Sequence, residues 1–192
     1  MIVTMLILLG FKNTIRDKIY NFSGHLQVRK LTFNTSYETQ PVSLESEFYQ
    51  HWQDYEYIAH VQEYTYKPGL LQHDGEVYGI VLKGISAQFD SSRLAPYLRE
   101  GRFIQFDADS RYSKEVVLST KIARTMHITL GDERMVFFIQ NPVRFRKLTV
   151  VGIYETGMED FDDRQVFCDL DMVRRLNGWD ETLTGGFEVY LK

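Results

Sequence analysis

Apolar residues crowd the start of the chain. Met1 to Leu9 reads MIVTMLILL, with one threonine and no charge. Leu8, Phe11, Ile15, Ile19 and Phe22 then follow in steps of three and four, the spacing of one helix face. Lys12, Asn13, Arg16 and Asp17 fall largely on the other side. A spanning helix needs about 20 apolar residues to cross about 30 Å of hydrocarbon, and Met1 to Phe11 covers about half of that. The pattern therefore predicts one long helix, its first half in a membrane as the end of a spanning segment and its second half in water. The competing reading is the buried N-terminal half of a soluble amphipathic helix. A signal peptide does not fit. No positive residue precedes the run, and Gly10-Phe11-Lys12 offers no small-x-small cleavage site.

Beyond Ser23-Gly24 the periodicity changes. His25 to Phe33 reads as a strand, and Asn34 to Val42 as a polar loop ending at Pro41. Ser43 is the expected cap of a short helix carrying Leu44, Phe48 and Trp52. Ile58 to Tyr66 is expected as a strand closed by Pro68-Gly69, and Glu76 to Ile85 as another. Ser91 to Arg99 reads as a short helix stopping near Gly101, with a polar loop from Asp107 to Ser113.

The second half is more regular. Glu115 to Leu118 is a strand, and Ser119 caps a helix through Met126 that buries Ile122, Ala123 and Met126. Leu130-Gly131-Asp132 turns into a strand from Arg134 to Ile139. A short hairpin, Gln140 to Arg146, leads to the return strand Lys147 to Tyr154. Gln165 to Cys168 is a strand, Asp171 begins a helix ended by Gly178, and Phe187 to Leu191 is the last strand. Mixed strands and helices, with strands in excess, place the chain in the α+β class.

Composition narrows the function classes. At 192 residues, 44% hydrophobic and 25% charged, the chain is globular. After residue 23 no apolar run reaches spanning length. A net charge of -4 with no dense basic run argues against nucleic acid as a partner.

Candidate chemistry is sparse. Gly79 to Gly84 has P-loop spacing, but Ile85 stands where the phosphate-binding lysine is needed. No GxGxxG or GxSxG occurs. The five histidines show no HxxxH spacing, so no metal or other cofactor is expected. Glu159, Asp160, Asp162 and Asp163 lack the ligand spacing of a calcium loop and read as a solvated turn. The sequons at 21–23 and 34–36 are short enough to arise by chance. No catalytic residue is assigned. An enzyme reading would centre on Cys168, the single cysteine, and would require a histidine beside it in a deep pocket. The plainer reading of Cys168 is a buried thiol in a strand. Tyr55, Tyr57, Tyr64 and Tyr66 read as strand packing or, more sharply, as an exposed binding face.

Several segments together resemble one family. The emerging helix followed by Ser23-Gly24-His25-Leu26-Gln27-Val28 resembles the junction after the first transmembrane helix of lipoprotein-releasing ABC permeases of the LolC/LolE type. Val117 to Ala123, then Leu130-Gly131-Asp132, resembles the family's strand, helix and LGD turn. Val151 to Met158 is similar to its late strand and loop, and Val166 to Asn177 to its final strand and helix. The broader group is the MacB-like periplasmic core domain of FtsX-type permeases.

The resemblance implies a two-lobed fold, a βαβ-type lobe with a small β-rich lobe inserted. The corresponding divisions are 1–23 for the end of a transmembrane helix and stalk, 24–113 and 165–192 for the first lobe, and 114–164 for the insertion. It also implies a non-catalytic permease subunit in the bacterial inner membrane, with this domain on the periplasmic side. The implied partners are a separate ABC ATPase subunit, a second permease, a lipoprotein cargo and a periplasmic carrier. One branch of the family captures the carrier with a long Pro-containing hairpin. The corresponding residues here are Asn141, Pro142, Val143, Arg144 and Phe145, in a shorter hairpin. Phe145 and Arg144 suit an interface. The alternative within the family is MacB-like or FtsX-like mechanical transmission without lipoprotein cargo.

Overall fold

The computed structural model describes residues 2–31, 37–106 and 111–192. The end of the strand expected at His25 to Phe33, most of the loop before Tyr37, the second sequon and residues 107–110 of the polar loop lie outside them. The elements run α1 (Ile2–Ser23), β1 (Leu26–Val28), β2 (Val42–Ser43), α2 (Glu47–His51), β3 (Ile58–His73) and β4 (Glu76–Ile85). Then come β5 (Leu98–Gly101), β6 (Glu115–Ser119), α3 (Thr120–Thr125), β7 (Glu133–Phe138) and β8 (Arg144–Tyr154). The chain finishes with α4 (Glu159–Asp162), β9 (Gln165–Asp169), α5 (Leu170–Asn177), β10 (Leu183–Thr184) and β11 (Gly186–Leu191). The class is α+β, as the pattern predicts.

Six strands close on themselves. β3 pairs with β4, β4 with β9, β9 with β6, β6 with β8, β8 with β7, and β7 returns to β3. Their inward positions carry Leu71, Ile80, Leu82, Val116, Leu118, Val136, Leu148, Val150 and Val166, all buried in one cluster. Alternation along each strand puts these side chains on one face and so selects the register. α5 follows the end of β9 and α3 follows the end of β6. Because β6 and β9 are antiparallel, the two helices close opposite ends of the ring. β11 pairs with the first part of β3 and carries β1 on its far edge, while β5 lies on the outer edge of β8. β2 and β10 form a separate two-stranded sheet. Residues 114–164, expected as the inserted lobe, contribute β6, β7 and β8 to this same ring.

Local signals explain most boundaries. Ser119 accepts a hydrogen bond from the Ile122 N–H at 3.1 Å and starts α3. Asp169 accepts from Asp171 N–H at 2.8 Å and starts α5, and Gly178 ends it at φ 70°. Asp74 and Gly75 both have positive φ, the conformation of a tight two-residue hairpin turn.

Three expectations need correction. β3 does not stop at Pro68. Pro68 stands opposite Val81, whose N–H goes instead to Arg164 O on the far side of β4. The missing proline N–H therefore points to the other edge of β3. There it falls between β11, which ends at Tyr64, and β7, which begins at Leu70. Ser43 is a strand residue, and the short helix starts after Ser46. Ser91 to Arg99 forms two single 3-10 turns, 91–93 and 95–97, and then enters β5.

Leu118 lies in the middle of the ring at 2% exposure. Leu118→Ala should lower unfolding stability by about 2–5 kcal/mol, read as a lower urea midpoint with an unchanged slope.

Candidate functional site

α1 enters the body at its last turn. Its residues from Thr4 to Asp17 whose side chains are described are exposed, including Met5, Ile7, Leu8, Leu9 and Phe11. No helix among the described residues is long and apolar enough to cross a membrane. The stripe ends on Phe22, which is buried against Tyr97, Tyr154, Phe161 and Phe167 at ring distances of 5.1 to 6.1 Å. Gly24 then turns the chain into β1 at φ 71°. A side chain there would come within 3.2 Å of Glu188 Cβ and the Val189 backbone, so the close approach of β11 also needs glycine.

Beneath this joint lies an ion pair with no exposed surface on either side chain. Lys83 Nζ is 2.6 Å from Glu188 Oε1 and donates to Phe22 O, also at 2.6 Å. Phe22 O is among the carbonyls that the helix end leaves unpaired, and a cation there complements the helix dipole. Gln62 Nε2 donates to Glu188 Oε2 at 2.9 Å and lies 3.1 Å from Tyr190 Oη. Burial foremost, and then the Glu188 charge, push the Tyr190 and Tyr64 hydroxyls well above their usual range.

A second tether joins α1 to the end of β8. Lys18 Nζ donates to Thr156 O at 2.7 Å. Asp162 shapes that turn by accepting from Thr156 N–H, Thr156 Oγ1 and Gly157 N–H at 2.8 to 3.0 Å. The acidic segment 159–163 is thus no merely solvated turn. Asp162 is buried and Asp163 pairs with Lys121 at 2.5 Å.

Asn141 to Phe145, the residues that the resemblance would have meet a carrier, lie at the other end of β8. Between Arg144 and Tyr154 run ten residue steps, about 33 Å of extended chain. At this tip Val143 and Phe145 are 63% and 57% exposed, and Asn141 and Pro142 are exposed beside them. Ile139, expected as the last residue of a strand, lies just past the end of β7 and is 78% exposed. Phe137 and Phe145 touch across the hairpin at 6.1 Å. Arg144 is turned inward: its Nη1 donates to Arg175 O at 2.8 Å, and Gln140 Nε2 donates to Leu176 O at 3.1 Å. Both fasten the hairpin to the C-terminal carbonyls of α5.

The other candidates separate clearly. Cys168 is fully buried among Val116, Met172 and their neighbours, and burial raises its thiol well above the usual range. That is the opposite of nucleophile activation. Tyr64 is buried with its ring tilted against that of Tyr66 at 5.1 Å, while Tyr55 and Tyr57 are exposed, so the four tyrosines do not share one face. Among the described residues no cluster of His, Cys, Asp or Glu is placed to hold a metal. A cleft of about 410 Å³ near Arg164 and Phe161 has its guanidinium already bonded to Tyr37 Oη at 2.7 Å.

Removing one partner of the root ion pair leaves a buried charge uncompensated. Lys83→Met or Glu188→Leu alone should cost about 3–5 kcal/mol, while the double replacement should recover most of that loss. Denaturant unfolding of the four proteins completes the cycle.

A search of curated protein sequences gave no match. Among solved structures, the fold is similar to the periplasmic region of MacB from Actinobacillus actinomycetemcomitans. The TM-score is 0.60 at 16% identity, over 91% of this chain and 78% of that one. It is also similar to the extracellular domain of the noncanonic ABC-type transporter YknZ from Gram-positive bacteria. There the TM-score is 0.56 at 16% identity, over 87% of this chain and 84% of that one. At that identity the likeness concerns the fold. The family model of the MacB-like periplasmic core domain matches residues 1–192, with the helix that feeds the buried ion pair included, and the chain belongs to that family.

Proposed function

We propose that this chain is the extracytoplasmic domain of an ABC transporter permease subunit and works as a mechanical transmission element. The carrying observation is the α1 root. One ammonium, Lys83 Nζ, holds the helix end at Phe22 O and the β11 carboxylate of Glu188 together, out of water. A tilt or a rise of α1 therefore moves the sheet with it. On this reading the apolar half of α1 lies in the membrane, and the drive comes from ATP hydrolysis in a separate cytoplasmic ATPase subunit. A second permease completes the complex. The membrane is the bacterial inner membrane, with this domain on the periplasmic side. The domain's last strand returns to the same place, because Leu191 N–H reaches His25 Nδ1 at 3.3 Å.

Release of a lipoprotein cargo to a periplasmic carrier is the finer form of this proposal. Its support is the resemblance of residues 23–28, 117–123, 130–132 and 151–158 to lipoprotein-releasing permeases. The exposed apolar tip around Ile139, Val143 and Phe145 is the surface such a carrier would meet.

Phe22→Ala in the full-length permease should leave the protein inserted and the partner ATPase active, while transport falls at least severalfold, because the ring that seats α1 in the body is gone. Unchanged transport would overturn the transmission reading. Depletion of the protein tests the cargo separately. Lipoproteins retained in the inner-membrane fraction support release, whereas a normal distribution leaves transmission without lipoprotein cargo.

A further inference from the structure

His25 sits where α1, β1 and β11 meet. Its ring lies 4.1 Å from Tyr20 of α1 and 6.2 Å from Tyr190 of β11, centroid to centroid. Its backbone N–H donates to Val189 O at 2.9 Å. The β1–β11 ladder ends at Leu26 and Val189, since Gly24 turns the chain toward α1. On the β3 side, the register of β11 shifts between Tyr190 and Leu191. Leu191 N–H, left at the end of the ladder, is taken by the His25 side chain at Nδ1, 3.3 Å away.

That bond fixes the protonation state. A backbone amide can only donate, so Nδ1 must carry a lone pair and the imidazole must be neutral. An imidazolium would set N–H against N–H and break the bond. The surroundings favour the neutral ring. α1 presents Arg16 and Tyr20, the 91–93 turn presents Arg93, and β11 presents Tyr190. Both guanidiniums already have carboxylate partners, Asp17 for Arg16 at 3.1 Å and Asp90 for Arg93 at 2.9 Å.

We propose that His25 is a pH-sensitive clasp: neutral, it pins the end of β11 to the α1–β1 joint, and on protonation it lets go. Burial foremost, then Arg93 and Arg16, hold its pKa below the usual 6.5. A base with a lowered folded pKa stabilises the fold fully above its unfolded value, and this contribution is lost as pH falls through the folded one. The clasp is therefore shut at neutral pH and opens on acidification below the ordinary imidazole range. It acts on the segment through which any α1 movement passes, but it requires neither a cargo nor the transmission reading.

Amide exchange of the 192-residue chain in detergent micelles tests this, with rates corrected for the intrinsic pH dependence. Leu191 should lose about fivefold in protection between pH 7.5 and 5, while core amides such as Leu118 stay protected. His25→Asn supplies a short acceptor that does not titrate and should keep Leu191 protection level across that range. Arg93→Gln removes a neighbouring cation and should move the loss of protection to higher pH. Leu191 protection that does not change with pH in the parent chain would overturn the proposal. So would a pH response that survives in His25→Asn.

Discussion

Lys83 and Glu188 can stay charged in a water-free interior only because three strands and a helix end deliver all their partners together. Taking each ion out of water costs several kcal/mol, and the attraction between them offsets this only when the remaining protons and lone pairs are also satisfied. Lys83 comes from β4, Glu188 from β11, Gln62 from β3, and the Phe22 carbonyl from α1. A slip of one residue in any of these strands would turn its polar side chain to the other face. The position of the helix and the register of the sheet are therefore a single choice.

The closed ring makes that choice matter at a distance. Each of its six strands has two neighbours, so no strand can bend alone, and the interior is filled by branched aliphatic side chains. α1 grips the ring through the Phe22 ring onto Phe167 and Tyr154, through the Phe22 carbonyl onto Lys83 of β4, and through Lys18 onto the turn after β8. β8 begins at the exposed hairpin and ends at the α1 root. The root and the exposed hairpin are thus joined by one paired strand rather than by loops.

Local chemistry was legible in the sequence, and long-range chemistry was not. Ser119, Gly178 and the Leu130-Gly131-Asp132 turn mark element ends by bonds made within a few residues, so spacing reveals them. Leu118 and Ile122 announce their burial by periodicity. Pro68 misled because its effect depends on which neighbour faces it, and the gap between β11 and β7 is a tertiary fact. Nothing local to Lys83 or Glu188 marks a partner 105 residues away. Asp162 was hidden in the same way inside a run of acids. The ring closure through β7 and β3 leaves no trace in periodicity, because a strand's pattern records that it is buried and not against which strand.

The hairpin tip shows how the same physics limits what a partner can find there. Arg144 looks like an interface arginine by type, yet its guanidinium is held by the last carbonyls of α5. Freeing it for a partner would strip that helix end of a charged donor, so its role is to hold the hairpin rather than to reach outward. What remains exposed is apolar: Ile139, Val143 and Phe145. Burying three such side chains removes a few hundred Å² from water, well below the 1,000 Å² or so that a stable complex needs. A partner meeting this tip alone would therefore bind weakly and leave quickly.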